Sequence, residues 1–263
     1  MKLSGAHVLV TGASRGIGSC LAEGAAARGA DLTLVARPSD ALTTRAAALG
    51  SRALPCDLAD PGQRADLLAR AEQDAGRPVD VLVNCAGVDG VDGMLDVSAE
   101  AMRRLYEVNL LTPAELVRQA LPGMVARRRG HLVTVSSGFS TVIGAGMTPY
   151  ASSKAGLSHF HAGVRLELQG TGVRTTLVEP GPVRTEMYDD IEADGLASAV
   201  MDRFLKLRLT RLMTPQEVAQ QVLDGVEADR EHVVPPRRMT PVLVFDWIPR
   251  RVAQLVLTGT PRR

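Results

Sequence analysis

The sequence predicts a single-domain α/β protein built on a doubly wound parallel sheet. Short apolar runs alternate with longer segments of helical periodicity, and each run is nearly continuous in apolar residues, chiefly Val and Leu, as strands covered on both faces require. A glycine-rich turn also stands between the first run and the first helix. With 263 residues, 45% hydrophobic and 22% charged, the chain can bury a large core. Lys and Arg number 30 against 29 Asp and Glu; the net charge of +1 points away from a nucleic-acid partner. Cys20, Cys56 and Cys85 are scattered singly, which suits a reducing compartment and no metal. The N-terminus enters a strand without a long apolar signal, and no uncharged apolar run reaches the roughly 18 residues needed to span a bilayer. The expectation is a cytoplasmic protein.

In chain order, Ala6–Val10 reads as a first strand, followed by the turn Thr11-Gly-Ala-Ser-Arg-Gly-Ile-Gly18 and a helix to about Arg28, stopped by Gly29. Asp31–Ala36 is a second strand and Ala41–Leu49 a second helix. Arg52–Cys56 gives a third strand and Pro61–Ala75 a third helix; Val79–Val83 is the fourth strand. Ala99–Arg129 holds a long helical stretch, kinked near Pro113 and ending before Pro122 or Gly130. His131–Val135 is the fifth strand, Tyr150–Gln169 the next helix and Arg174–Glu179 a sixth strand. Thr214-Pro-Gln-Glu217 opens a further helix, with threonine as cap and proline in the first turn.

Ligands of such sheets bind beyond the carboxyl ends of the strands. Gly12, Gly16 and Gly18 follow the first strand with the spacing G-x-x-x-G-x-G, which permits a tight turn and lets backbone amides approach a pyrophosphate. The second strand ends Leu34-Val-Ala-Arg37, with no acid at 35 to 37. A carboxylate there would repel a 2′-phosphate, whereas Arg37, with Arg15 opposite, can bind one; NADP(H) is expected over NAD(H). Tyr150 and Lys154, four apart, stack on one helical face, and Ser137 stands at the end of the fifth strand. A lysine cation near a phenol of ordinary pKa about 10 favours the phenolate and suits it to proton transfer. Taken alone, that spacing also fits an ordinary helix start with a solvated lysine.

The glycine turn, Asn84-Cys-Ala-Gly87, Asn109, Ser137, Tyr150-x-x-x-Lys154 and Pro180-Gly-Pro-Val-Arg-Thr185 occur together in the order and spacing of the short-chain dehydrogenase/reductase family. The chain resembles its single-domain, Rossmann-like branch over about residues 5–190. The resemblance implies an NADPH-dependent oxidoreductase interconverting a carbonyl and an alcohol, with catalytic residues Asn109, Ser137, Tyr150 and Lys154. Tyr150 is then the acid or base, Lys154 binds the nicotinamide ribose and lowers the tyrosine pKa, Ser137 orients the substrate oxygen, and Asn109, on the long helix, anchors a relay water. The implied cofactor site takes in Gly12, Ser14, Arg15, Gly16, Ile17, Gly18, Arg37, Asp57, Leu58, Asn84, Ala86, Gly87, Pro180, Gly181, Val183 and Thr185, besides Tyr150 and Lys154. Asp57 would contact the adenine amino group, and Val183 with Thr185 the carboxamide. Cys85 departs from the family's second asparagine. The short Tyr150–Lys154 spacing argues against the enoyl reductase variant. An NAD-linked alcohol dehydrogenase and a non-catalytic nucleotide sensor or scaffold are the alternatives; the intact catalytic set favours an enzyme.

Substrate choice is expected from a lid at about 186–213, whose Met187, Tyr188, Ile191, Leu196, Val200, Met201, Phe204 and Leu205 predict a roomy apolar pocket for a lipid-like substrate. The family's habit of pairing through the long helix and the Tyr150 helix implies a homodimer or homotetramer, with Leu105, Leu116, Leu157, Phe160 and Leu168 as surplus apolar surface. The tail at about 232–263 has six arginines against one acid, Asp246, a net of +5, around Val242–Phe245, Trp247 and Val252–Leu257. Basic pairs flanking apolar segments suit weak contact with an anionic membrane surface. Packing against the tail's own domain or a neighbouring subunit is the reading they favour.

Overall fold

The computed structural model describes residues 1–90, 94–142, 146–193, 195–208 and 210–240, with the side chains of 195, 196, 200 and 238 left aside. Seven parallel strands form one sheet in the order β3-β2-β1-β4-β5-β6-β7. They are β1 His7–Thr11, β2 Asp31–Ala36, β3 Arg52–Pro55, β4 Val81–Asn84, β5 Gly130–Val135, β6 Val173–Val178 and β7 His232–Val233. The chain winds outward from β1 to β3, returns to place β4 against the other side of β1, and winds outward again to β7. The strand order therefore reverses between β1 and β4, where a crevice opens at the carboxyl ends.

Side chains alternate faces along a strand, so a run apolar at every position feeds two cores. Val8, Val10, Leu32, Leu34, Val81, Val83, Val133 and Val135 join one cluster with helices α1 (Gly16–Ala26), α2 (Asp40–Ala48) and α10 (Pro215–Glu227). Leu9, Val35, Leu82 and Leu132 join the other, with α4 (Leu67–Ala75), α6 (Thr112–Ala126) and α7 (Thr148–Glu167). Truncating a fully buried leucine such as Leu9 or Leu132 would cost about 2–5 kcal/mol.

Several elements differ from the sequence reading. The third helix is two: α3 (Pro61–Arg64), capped by Asp60, then α4. The long helical stretch is α5 (Ala99–Tyr106), a π-helical turn at Glu107–Leu111, then α6. Proline supplies no N–H, so the chain restarts an α-helix with Pro113 in its first turn. Pro122 lies inside α6 rather than ending it. The seventh strand falls where a tail was expected. Thr214 and Glu217 form a capping box at α10 as expected. Helices α8 (Glu186–Ala193) and α9 (Gly195–Lys206) follow β6. No helix among the described residues is long and apolar enough to cross a membrane.

Leu105, Leu116, Leu157 and Leu168 are buried in the monomer and Phe160 is half-buried, so they do not supply an exposed apolar face. Leu116 and Leu168, with Phe160 against them, pack in the core beneath α6 and α7, and Leu105 packs with Met147 and Tyr150. The tail beyond residue 240, including Phe245, Trp247, Arg250 and Arg251, lies outside the described residues.

Candidate active site

The crevice holds one cavity of about 1230 Å³ running from the glycine turn to α8 and α9. At its base Gly12 has φ +69, and a Cβ there would stand 2.8 Å from Ala86 Cα. A Cβ on Gly18 would meet the Gly12 carbonyl at 2.3 Å. The turn therefore packs against the loop after β4 and against itself with no room for side chains, exposing backbone to the cavity. Helix α1 begins at Gly16 without a side-chain cap, leaving its first amides and positive dipole end for an anion. Thr11, which the sequence reading left without a role, locks this base: its hydroxyl accepts from the Cys85 and Ala86 amides at 3.0 and 3.1 Å. These features fit a dinucleotide.

Every residue implied for the cofactor lines this cavity except Asn84. Asn84 is buried with its amide nitrogen 3.5 Å from the Pro113 carbonyl, because strand alternation turns it toward α6. Cys85 lines the cavity instead, and burial pushes its thiol up to about 12, an inert thiol rather than a nucleophile. Arg37, at the end of β2, is exposed. Arg15 is paired with Glu186 of α8, so its guanidinium is already engaged. Asp57 accepts from the Ala59 amide at 3.0 Å and lies 3.5 Å from Arg104.

Ser137, Tyr150 and Lys154 converge on the same cavity, as their spacing predicts. Ser137 ends the extended chain after β5, its Oγ accepts from the Phe139 amide at 3.2 Å, and its hydroxyl stands near enough to the Tyr150 phenol to favour the ionised form. Phe139 meets the Tyr150 ring edge-on, with centroids 6.5 Å apart. Lys154 Nζ lies 5.8 Å from the centre of the Tyr150 ring and donates to the Val135 carbonyl at 3.3 Å.

The expected lowering of the tyrosine pKa is not what the structure holds. Burial raises the phenol above its ordinary value, outweighing the lowering by Ser137, and Asp89 raises it further. Burial also brings Lys154 down to about 8, against the opposing influence of Cys85. Exclusion from water penalises both charged forms, and the lysine's reach does not reverse that for the phenol.

Asn109 sits in the π turn rather than on a regular helix. Its Oδ1 accepts from the Val88 amide and its Nδ2 donates to the Val88 carbonyl, both at 2.9 Å, and Nδ2 also lies 3.2 Å from Ser153 Oγ. The side chain thus braces the loop after β4 against α7 and is not itself part of the cavity lining.

The far end of the cavity is apolar. Met187, Tyr188, Ile191, Met201 and Phe204 line it as the sequence predicts, joined by Phe139, Val142, Met147 and Met239, which it does not. Leu205 is half-buried away from the cavity, and the Leu196 and Val200 side chains lie outside the description.

The profile of one family, described as short chain dehydrogenase, matches residues 6–195. A short chain dehydrogenase of Pseudocercospora fijiensis is 35% identical over 204 residues, covering 75% of this chain and 66% of that protein. Glycine betaine reductase ATRR of Emericella nidulans is 33% identical over 239 residues, covering 88% of this chain but 18% of that much longer one. The chain thus spans under two thirds of the length of both relatives. A solved short-chain dehydrogenase from Sphingobium yanoikuyae in complex with NADPH superposes with a TM-score of 0.79 at 29% identity, covering 98% of this chain and 97% of that one.

Proposed function

The chain belongs to the short-chain dehydrogenase/reductase family of NAD(P)-dependent oxidoreductases, and on that premise we propose that it interconverts an apolar, lipid-like ketone or aldehyde and its alcohol, using NADP(H). The convergence of Ser137, Tyr150 and Lys154 on one cavity with the glycine turn carries this reading. The nicotinamide, when bound, supplies or accepts the hydride at the substrate carbon. Ser137 holds the substrate oxygen. Tyr150 gives that oxygen a proton in reduction and takes it back in oxidation. Because burial raises the Tyr150 pKa, the phenol stays protonated at neutral pH, the form that reduction needs. Lys154, as an ammonium, would hold the ribose, and Val183 and Thr185, which line the same cavity, would face the carboxamide; Asn109 keeps the loop after β4 in place.

Arg37 and Arg15 at one end of the cavity, and no acid at 35 to 37, support NADP(H) over NAD(H). The methionine- and aromatic-lined far end supports a bulky apolar substrate. We place the protein in the cytoplasm as a homodimer or homotetramer. Leu111 and Val125, 50% and 38% exposed on the π turn and α6, are apolar surface that a partner subunit would cover. Weak contact of the basic tail with an anionic membrane is a sequence-based proposal, tested by co-sedimentation with anionic vesicles at rising salt. The test of the activity is Tyr150→Phe against a carbonyl panel, followed by NADPH absorbance. Turnover should vanish with NADPH affinity nearly intact; retention of more than a few per cent of the rate would sink the assignment. A scaffold would leave every carbonyl unreduced in the parent protein too.

A further inference from the structure

Behind the Ser137–Tyr150–Lys154 wall lies a buried carboxylate that the proposed chemistry does not use. Glu179 follows β6 and is fully buried. The backbone ladder continues past the strand ends to place it: Ser136 N donates to Val178 O at 2.8 Å, Gly138 N to Pro180 O at 2.8 Å, and Glu179 N to Val233 O at 3.0 Å. Val178 faces the α1 side of the sheet, so Glu179 turns to the opposite side, under α7.

There its Oε1 accepts from Ser140, three residues beyond Ser137 on the same 3-10 turn, at 2.5 Å. The same oxygen accepts from Ser158 of α7, one helical turn beyond Lys154, at 2.7 Å. Oε2 meets His232 Nε2 of β7 at 2.7 Å. Ser158 Oγ lies 2.8 Å from Ser136 Oγ, which is 3.0 Å from the Lys154 carbonyl. A single carboxylate therefore touches the turn that carries Ser137, the helix that carries Tyr150 and Lys154, and the last strand of the sheet.

We propose that Glu179 is a positioning residue: it fixes the Ser137 turn against the Tyr150–Lys154 helix through Ser140 and Ser158, with His232 as its partner. The inference rests on the reading of Ser137, Tyr150 and Lys154 as the catalytic set. Burial alone would raise the Glu179 pKa, yet the hydrogen bond and charge of His232 with the two serine hydroxyls hold it below its ordinary value, so the carboxylate is ionised. A buried ionised group adds little net stability over an apolar side chain of similar size. What it supplies is direction. Two hydroxyls converging on one oxygen set the distance between two elements in a way that leucine packing does not. Misplacing a catalytic group by an ångström can cost about a hundredfold in rate.

The test is a set of variants of the full chain assayed on a ketone reduced by the parent protein. Glu179→Ala is expected to lower kcat by about tenfold or more while the NADPH Kd moves less than about twofold. Glu179→Gln, whose amide oxygen still accepts from both serines, should recover most of that loss. Ser140→Ala removes one arm by deleting a single hydroxyl, so it serves where Glu179→Ala does not fold, and should lower kcat about fivefold with little change in Tm. A structure of the same variant should show the Ser137–Ser140 turn displaced from the Tyr150–Lys154 helix relative to the parent protein, a reading that needs no turnover. A purely structural Glu179 would instead lower Tm and leave kcat and the spacing of turn and helix unchanged, which overturns the proposal. Tyr150→Phe in the same assay separates the two ideas: an active Tyr150→Phe defeats the catalytic reading, whereas a dead Tyr150→Phe beside fully active Glu179 and Ser140 variants defeats only this one.

Discussion

Arg15, on the turn after β1, is ion-paired to Glu186, the first residue of α8. The pair spans the cavity mouth, joining the glycine turn to the segment over the substrate end. Its side chains are 62% and 66% exposed, and exposed pairs contribute at most about 1 kcal/mol. A 2′-phosphate, with more charge and more acceptor oxygens, would draw Arg15 away at little cost. Glu186→Gln is therefore expected to tighten NADPH roughly two- to fivefold and leave NADH unchanged, whereas Arg15→Ala or Arg37→Ala weakens NADPH alone by about tenfold. Ala36→Asp should shift preference toward NADH. Titration of the parent protein with both cofactors checks the premise, and equal affinities would contradict it.

Lys154 gives a pH signature. Burial brings its ammonium down to about 8, so the charge that would hold the ribose is present below that pH and lost above it. NADPH affinity should be highest near neutrality and fall as pH rises through about 8. Lys154→Met should bind more weakly throughout and show no such step, and it should also lose rate. A Kd that is flat from neutrality to strongly alkaline pH in the parent protein would remove the lysine from cofactor binding.

The parts of this site legible in the sequence were those fixed by short-range periodicity. Tyr150 and Lys154 share a face because helices repeat every 3.6 residues, and Ser137 ends a strand whose apolar run is unmistakable. Asn84 was within reach too: counting faces from Val83 turns it toward α6, away from the cofactor. The π turn at Glu107–Leu111 was not, because its residues are compatible with a plain helix and its setting includes Asn109 held by Val88 and Ser153, which are distant in sequence. The strand His232–Val233 is too short to show a period. The Tyr150 pKa depends on how much water the finished cavity excludes, which spacing does not encode.

Two core histidines predict acid sensitivity. His131 Nε2 lies 2.8 Å from Thr176 Oγ1 and His161 Nδ1 2.9 Å from Thr134 Oγ1, and burial lowers both pKa values to about 3. The unfolded chain protonates these rings near pH 6.5 while the folded one resists until about pH 3, so the unfolded state binds more protons between those limits. Their full contribution is present above about pH 6.5 and declines below it, by roughly 1.4 kcal/mol per histidine per pH unit. Urea midpoints should fall from pH 7.5 to 5.5 by an amount worth about 2–3 kcal/mol from these two rings, with buried His7, also lowered by burial, adding in the same sense, and His161→Gln should remove about one ring's share. A midpoint independent of pH across that range would refute the account. Glu179, held below its ordinary pKa, adds its own loss only in stronger acid.

Met239 sets the last expectation, on substrate size. The chain reaches it from β7 through Pro235 and Pro236 into a 3-10 turn at Arg237–Met239, with Met239 N donating to the Pro236 carbonyl at 2.9 Å. Thr210 Oγ1 donates to Met239 Sδ at 3.0 Å, pinning the thioether over the cavity. A Cβ on Gly138 would stand 2.9 Å from Met239 Cε, and one on Gly181 2.6 Å from Sδ, so the side chain closes down on the two turns flanking Ser137 and Pro180. Met239 thus forms the wall of the substrate end nearest the catalytic set. Removing it should enlarge the cavity where a second ketone substituent would lie. Each methylene a pocket accepts or refuses is worth about 1–3 kcal/mol, or roughly 10- to 200-fold in selectivity. Met239→Ala is therefore expected to raise kcat/KM for ketones bulky on both sides relative to methyl ketones by about tenfold or more, while Met239→Phe reverses the preference. Matched pairs of ketones, assayed at saturating NADPH, give the ratio directly. Ratios unchanged in both variants would show that Met239 packs beside the substrate path without gating it.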